Sequence, residues 1–180
     1  GHAGQDVLNE CMKDFGGFEH NIQSLRIIDK LENRYASFPG LNLCFETREG
    51  LLKKCNLDRA KKLGDVGKRF LDKKQSSLEA QLTNLCDEIA YNNHDIQDGI
   101  RAKKIFIEQL EGVPIFYDQM KAVLNKFPKI SGSKIVNETV RLIINLLVTD
   151  LINNTNMNIK NASIEDFNDV RNHSGLIVSF

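Results

Sequence analysis

Apolar residues that recur at three- and four-residue intervals constrain this chain more than any other feature. Between Ser133 and Asn153, Val140, Ile143, Ile144, Leu147 and Leu151 form one continuous stripe. Such a stripe suits a helix with one face turned to a core, because 3.6 residues make a turn. The same period recurs in Gln5–Lys13, His20–Arg34, Glu46–Lys54, Ser77–Asn93 with an extension to Ile100, and Pro114–Lys126. A further short helix is expected over Ser163–Arg171, with Ser163 and Asp166 as cap residues. No strand pair and no internal repeat emerges. The expected fold is all-α.

Punctuation agrees with this reading. Gly16-Gly17 breaks the first helix from the second, and Ser37-Phe38-Pro39-Gly40 reads as a turn. Pro114 suits the first turn of a helix, where its missing N–H costs nothing. Ser76-Ser77-Leu78-Glu79 reads as a capping box with Ser76 as N-cap and Glu79 three residues on.

Composition excludes several classes. The chain has 180 residues, enough for one domain with a real core. Its 24 Lys and Arg match 24 Asp and Glu, so it lacks the basic excess of nucleic-acid and anionic-membrane proteins. Nucleic acid is therefore an unexpected partner. No apolar run approaches a bilayer-spanning length, so no membrane association is expected. No secretory leader opens the sequence, and a cytoplasmic location is expected. Cys11, Cys44, Cys55 and Cys86 form no CxxC pair, which argues against zinc and for reduced, mostly buried thiols.

Neutrality conceals a local imbalance. Residues 53–74 carry nine Lys and Arg against three Asp, a net of +6. This segment reads as a basic loop, at about 53–76, either solvated or turned to a polyanionic phosphate. On the helix from Ser77, with Asp87 at zero, Tyr91 falls at about 40°, Asp95 at about 80° and His94 at about −20°. Leu78, Leu82, Leu85, Ile89 and Ile96 cluster on the opposite side. Any amphipathic helix puts polar residues opposite its core stripe. This face, however, offers carboxylates, an imidazole and a phenol in place of Lys and Glu, and such groups ligate metals or hold sugar hydroxyls. A second polar cluster, Phe18-Glu19-His20-Asn21-Ile22-Gln23-Ser24, opens a helix after the glycine pair. There Glu19 also suits the positive end of the helix dipole.

These segments together resemble the bacterial deoxynucleoside triphosphate triphosphohydrolases, the dGTPase-like branch of the HD superfamily. The resemblance rests on Gly1-His2-Ala3-Gly4, on Gly17-Phe18-Glu19-His20-Asn21-Ile22-Gln23-Ser24-Leu25-Arg26-Ile27, and on Gly40-Leu41-Asn42-Leu43. It continues through Glu46-Thr47-Arg48-Glu49-Gly50-Leu51-Leu52-Lys53 and Ser77-Leu78-Glu79-Ala80-Gln81. It is sharpest at Asp87-Glu88-Ile89-Ala90-Tyr91-Asn92-Asn93-His94-Asp95-Ile96. The resemblance implies an HD-type helical bundle and hydrolysis of a dNTP to a deoxynucleoside and triphosphate. It implies a divalent metal, Mg or Mn, with Asp87 as one ligand. By the same resemblance Tyr91 and Asp95 face the deoxyribose, and His2 lies near the attacked α-phosphate. Glu19 and His20 are then acid–base groups of the pocket, and Asn21 contacts the substrate. A homo-oligomer is also implied.

Two departures shape the expectation. The family's first His and its His-Asp dyad precede the segment that Gly1-His2-Ala3-Gly4 resembles, and the position after Gly4, usually acidic, is Gln5. The expected object is thus a partial HD-type domain over 1–180, truncated at both ends and inactive alone. The alternative is a non-catalytic remnant that binds nucleotide or a partner chain.

Overall fold

A computed structural model of the chain describes the backbone of residues 2–180 and the side chains of residues 3–180. The fold is all-α, as the periodicity predicts. Ten α-helices occur among the described residues, and the one extended pairing there is an isolated parallel bridge between Asn33 and Gly40. The chain divides into two compact units, Gly1–Gln81 with Glu165–Leu176, and Leu82–Ile164 with Ile177–Phe180.

The first unit holds α1 (His2–Cys11), α2 (His20–Arg26), α3 (Phe45–Gly50), α4 (Leu57–Ala60), α5 (Lys68–Leu71) and α10 (Phe167–Asn172). Its core is Leu25, Leu52 and Val66, with Ile22, Ile28, Phe45, Leu63 and Phe70 packed around them. The sequence predicts one helix over His20–Arg34. Instead α2 stops at Arg26 and a wide π-turn follows over Ile27–Leu31. The Glu32 N–H donates to the Ile27 carbonyl (2.9 Å), one residue further back than in an α-helix. That step frees the Ile28 carbonyl, which accepts from Leu41 N–H at 2.7 Å. Gly40 permits the approach: its φ is +70°, and a Cβ there would lie 2.4 Å from the Ile28 oxygen.

The segment at 53–76 is not a loop throughout. It contains α4, a 3₁₀ turn at Gly64–Gly67 and α5, with Ala60 and Val66 fully buried. Alternating basic and apolar residues can make short helical turns that bury only their apolar members, and net charge alone does not report this. Asn56 caps α4 by accepting from Arg59 N–H at 2.8 Å.

The second unit contains most of α6 (Leu78–Arg101), together with α7 (Ile107–Leu110), α8 (Pro114–Lys126) and α9 (Ser133–Asn161). Phe116 and Met120 of α8 pack on Ile143 of α9, flanked by Ile96, Tyr117, Ile135 and Leu147. α8 begins at Pro114 and ends at Lys126, the predicted bounds. α9 runs eight residues past its predicted end, through an Asn-rich stretch that favours turns on its own. Here those side chains are used: Asn154 Nδ2 donates to the Asp150 carbonyl, and Asn158 Nδ2 donates to the Ile177 carbonyl at 3.0 Å. Ile177 and Val178 are buried.

Two caps and the thiols differ in detail from expectation. Ser77, not Ser76, caps α6, its Oγ accepting from Ala80 N–H at 3.2 Å. Ser76 offers its carbonyl to Gln81 Nε2 instead (3.0 Å). α10 begins after Asp166, which forms a reciprocal capping box with Asp169, while Ser163 takes a left-handed φ of +51° outside the helix. The four cysteines are unpaired, but Cys11, Cys44 and Cys86 are exposed rather than buried. They lie on helix faces or turns that no other element covers.

Candidate active site

The best-defined polar cluster lies where α1 meets the start of α2. A helix start leaves N–H groups without intrahelical partners, and these must be satisfied from elsewhere. Glu19 is the N-cap of α2, and its carboxylate accepts from Asn21 N–H (3.1 Å) and Ile22 N–H (2.9 Å). Its Oε1 also accepts from Asn21 Nδ2 at 3.0 Å. The remaining donor of the turn, His20 N–H, reaches the Gln5 side-chain oxygen at 3.2 Å. That same oxygen contacts His20 Nδ1, which also lies 3.3 Å from Glu19 Oε1. Gln5 of α1 and Glu19 therefore grip both the backbone and the ring of His20. The loop before them is held by Asn9, whose Oδ1 accepts from Phe18 N–H at 2.9 Å. Gly17 is required there, with φ of +79° and only 2.5 Å between an added Cβ and that same Oδ1.

Glu19, His20 and Asn21, consecutive in sequence, share this cluster, and Gln5 joins them from α1. His20 is 55% exposed at its side chain and Glu19 only 16%, so the imidazole is the accessible member. Glu19 is committed to capping and orientation. The sequence reading treats Gln5 as a weakening substitution; its contact with a residue 15 positions away has no local signature. His2 heads α1, but its side chain lies outside the described residues.

Asp87, Tyr91 and Asp95 lie in the second unit, along the exposed side of α6. Helical spacing puts them on one face, and the opposite face carries buried Ile89 and Asn93. Leu82, assigned to the apolar stripe, is 43% exposed. Periodicity reports which residues share a face, not whether another element covers each turn of it. Asn93, a polar residue on that buried side, is 2% exposed and donates through Nδ2 to the Ile89 carbonyl.

A resident divalent ion would need two or three protein ligands. Among the described residues no three His, Cys, Asp or Glu side chains gather to supply them. Asp87 contributes one exposed carboxylate, so these side chains do not by themselves fit a bound divalent ion.

The basic segment is also less available than its composition suggests. Arg69 is turned inward, 11% exposed at its side chain, with Nε 3.7 Å from Glu49 Oε1. Burial lowers its pKa from the usual guanidinium value, offset by the Glu49 charge. Glu49, 2% exposed, also receives both terminal nitrogens of Arg171 from α10, one of them at 2.7 Å. Arg171 donates further to the Gln75 carbonyl at 2.9 Å. Arg48 is likewise engaged, in a forked contact with Asp29 at 2.8 Å for each arm. The hydrogen-bonded Asp29 carboxylate raises the Arg48 pKa above the ordinary guanidinium value.

No family model matches the chain. Curated proteins do. It is 59% identical over 172 residues to a deoxyguanosinetriphosphate triphosphohydrolase-like protein of Thiobacillus denitrificans, covering 96% of this chain and 46% of that protein. Proteins of the same name from Ralstonia nicotianae and Nitrosomonas europaea are 56% and 53% identical, over 95% and 98% of this chain and 44% and 47% of their own lengths. The chain spans about half the length of the curated relatives it matches.

Proposed function

Because the chain belongs to the deoxyguanosinetriphosphate triphosphohydrolase-like family, we propose that it is the part of a dNTP triphosphohydrolase that contributes the sugar- and phosphate-facing side chains. The observation that carries this reading is the identity of 52–59% to proteins of that name over nearly the whole chain. In the proposed reaction a water oxygen bonds to the α-phosphorus, the bond from phosphorus to the 5′ oxygen breaks, and that oxygen takes a proton. The products are a deoxynucleoside and triphosphate.

The residues take the following parts in this reading. Tyr91 and Asp95 hold the deoxyribose through the phenol and a carboxylate, one helical turn apart on α6. His20 exchanges a proton near the phosphate, and Asn21 offers an amide to the substrate. Glu19 acts through His20 and Asn21 as their anchor, since both of its oxygens already accept N–H groups. His2 lies beside the attacked phosphate. A divalent metal, Mg or Mn, would polarise that phosphate. Asp87 would be one ligand, and by the family resemblance a His and a His-Asp dyad would supply the others. The 180 residues alone then bind dNTP weakly and do not hydrolyse it.

Titration calorimetry of the chain with dGTP, with and without Mn²⁺, tests the binding. Chromatography of the products tests turnover. Metal-dependent release of triphosphate by this chain would overturn the ligand assignment. No heat with any dNTP would favour the alternative, a remnant that pairs with another chain.

A further inference from the structure

We propose that Gln5 is a positioning residue that fixes His20 in the tautomer protonated at Nδ1, leaving Nε2 as the ring's open acceptor. The argument begins with the amide. One oxygen and one NH₂ terminate a glutamine side chain, and which of them faces His20 follows from the hydrogen bonds around it. Here the backbone decides. His20 N–H points at the Gln5 side-chain atom at 3.2 Å, and a donor there must meet an acceptor. That atom is therefore the oxygen. The same oxygen contacts His20 Nδ1. A carbonyl oxygen only accepts, so Nδ1 must carry the proton.

Glu19 leads to the same conclusion from the other side. Its Oε1, a pure acceptor when ionised, lies 3.3 Å from Nδ1. Two acceptors and no donor face that nitrogen. Glu19 Oε1 already takes two N–H groups, at 3.1 and 3.0 Å, so Gln5 is the closer and less occupied of the two. In neutral imidazole, a proton on Nδ1 leaves the Nε2 lone pair free to take a proton or meet a donor. His20 Nε2 has no hydrogen-bond partner among the described residues. A glutamine orients the ring and remains neutral at every working pH.

This inference relies on the proposed function only for what Nε2 is used for; the tautomer itself can be read without substrate. Long-range ¹⁵N–¹H spectra of the chain labelled at histidine distinguish Nδ1–H from Nε2–H. The chain has only four histidines, and a His20→Gln variant assigns the signal. Above the histidine pKa, His20 is expected almost wholly as Nδ1–H, against the Nε2–H preference of a free ring. In Gln5→Ala the Nδ1–H form should fall from dominant to minor, and Gln5→Glu should restore it. Far-UV circular dichroism of each variant checks that the fold persists. Nε2–H dominance in the unmodified chain would overturn the proposal. So would an unchanged Nδ1–H signal in folded Gln5→Ala, which would give the positioning to Glu19. None of these outcomes depends on whether dNTP is hydrolysed.

Discussion

Replacing Glu49 with Gln should destabilise the first unit more than any other single isosteric change. The substitution keeps the shape and opens no cavity, so it isolates the charge. Glu49 is 2% exposed and meets Arg171 through both carboxylate oxygens and Arg69 through one, each Arg side chain being 11% exposed. With the carboxylate gone, two nearly buried guanidinium groups face each other without their anion. Breaking a buried pair by removing one partner costs about 3–5 kcal/mol, a large share of the roughly 5–15 kcal/mol that holds a domain folded. At about 2–4 °C per kcal/mol for a chain of this size, the apparent Tm should fall by roughly 6–20 °C. Thermal and urea unfolding followed by circular dichroism give the value. The double variant Glu49→Gln/Arg171→Met should lose less than the sum of its parts, because removing Arg171 relieves the stranded charge. A loss below about 1 kcal/mol, the level of an exposed ion pair, would refute the reasoning.

Other outcomes follow from named groups. The Asp169 carboxyl accepts from Glu165 N–H and Asp166 N–H at 2.8 and 3.1 Å, which holds its pKa below the ordinary carboxylate value. A depressed pKa stabilises above the unfolded value, about pH 4, and the benefit fades as pH falls through the folded one. The protection factors of the α10 amides, corrected for intrinsic exchange at each pH, should therefore fall on acidification, and Asp169→Asn should abolish that pH dependence. Cys11, Cys44 and Cys86 are exposed, whereas burial raises the pKa of the Cys55 thiol. Titration with a chromogenic disulfide should then show three fast thiols and one slow one, and four equal rates would contradict it. Val7, Leu8, Met12 and Phe15 present apolar side chains to solvent, Phe15 at 81% exposure. Self-association is expected from such a face, and a monomer by light scattering at tens of micromolar would count against it.

The helices were largely legible because their signals are local. Pro114 opens α8 at the expected residue, and the stripe from Val140 to Leu151 marks α9. Glu19, His20 and Asn21 could be singled out because they adjoin a glycine pair at a helix start. What was not legible depends on contacts distant in sequence. Gln5 reaches His20 across 15 positions and Arg171 reaches Glu49 across 122. Arg69 counted toward a solvated basic loop because composition treats every cation alike, whereas folding turns this one inward. The Asn-rich end of α9 misled for the same reason, since Asn158 finds its acceptor in the chain terminus rather than in a local turn.

The π-turn at Ile27–Leu31 has a genetic consequence. A wide turn of this kind is geometrically a single inserted residue, here at the C-terminal end of the α2 segment. Deleting one residue there would let Glu32 N–H return to ordinary α spacing and would turn everything downstream by about 100°. Asp29 would leave Arg48, and the carbonyl that holds Leu41 would be taken back into the helix. Length at this point is thus under tighter constraint than identity. Ile27, Ile28 and Lys30 should tolerate conservative replacement in a library that tolerates no one-residue deletion between them.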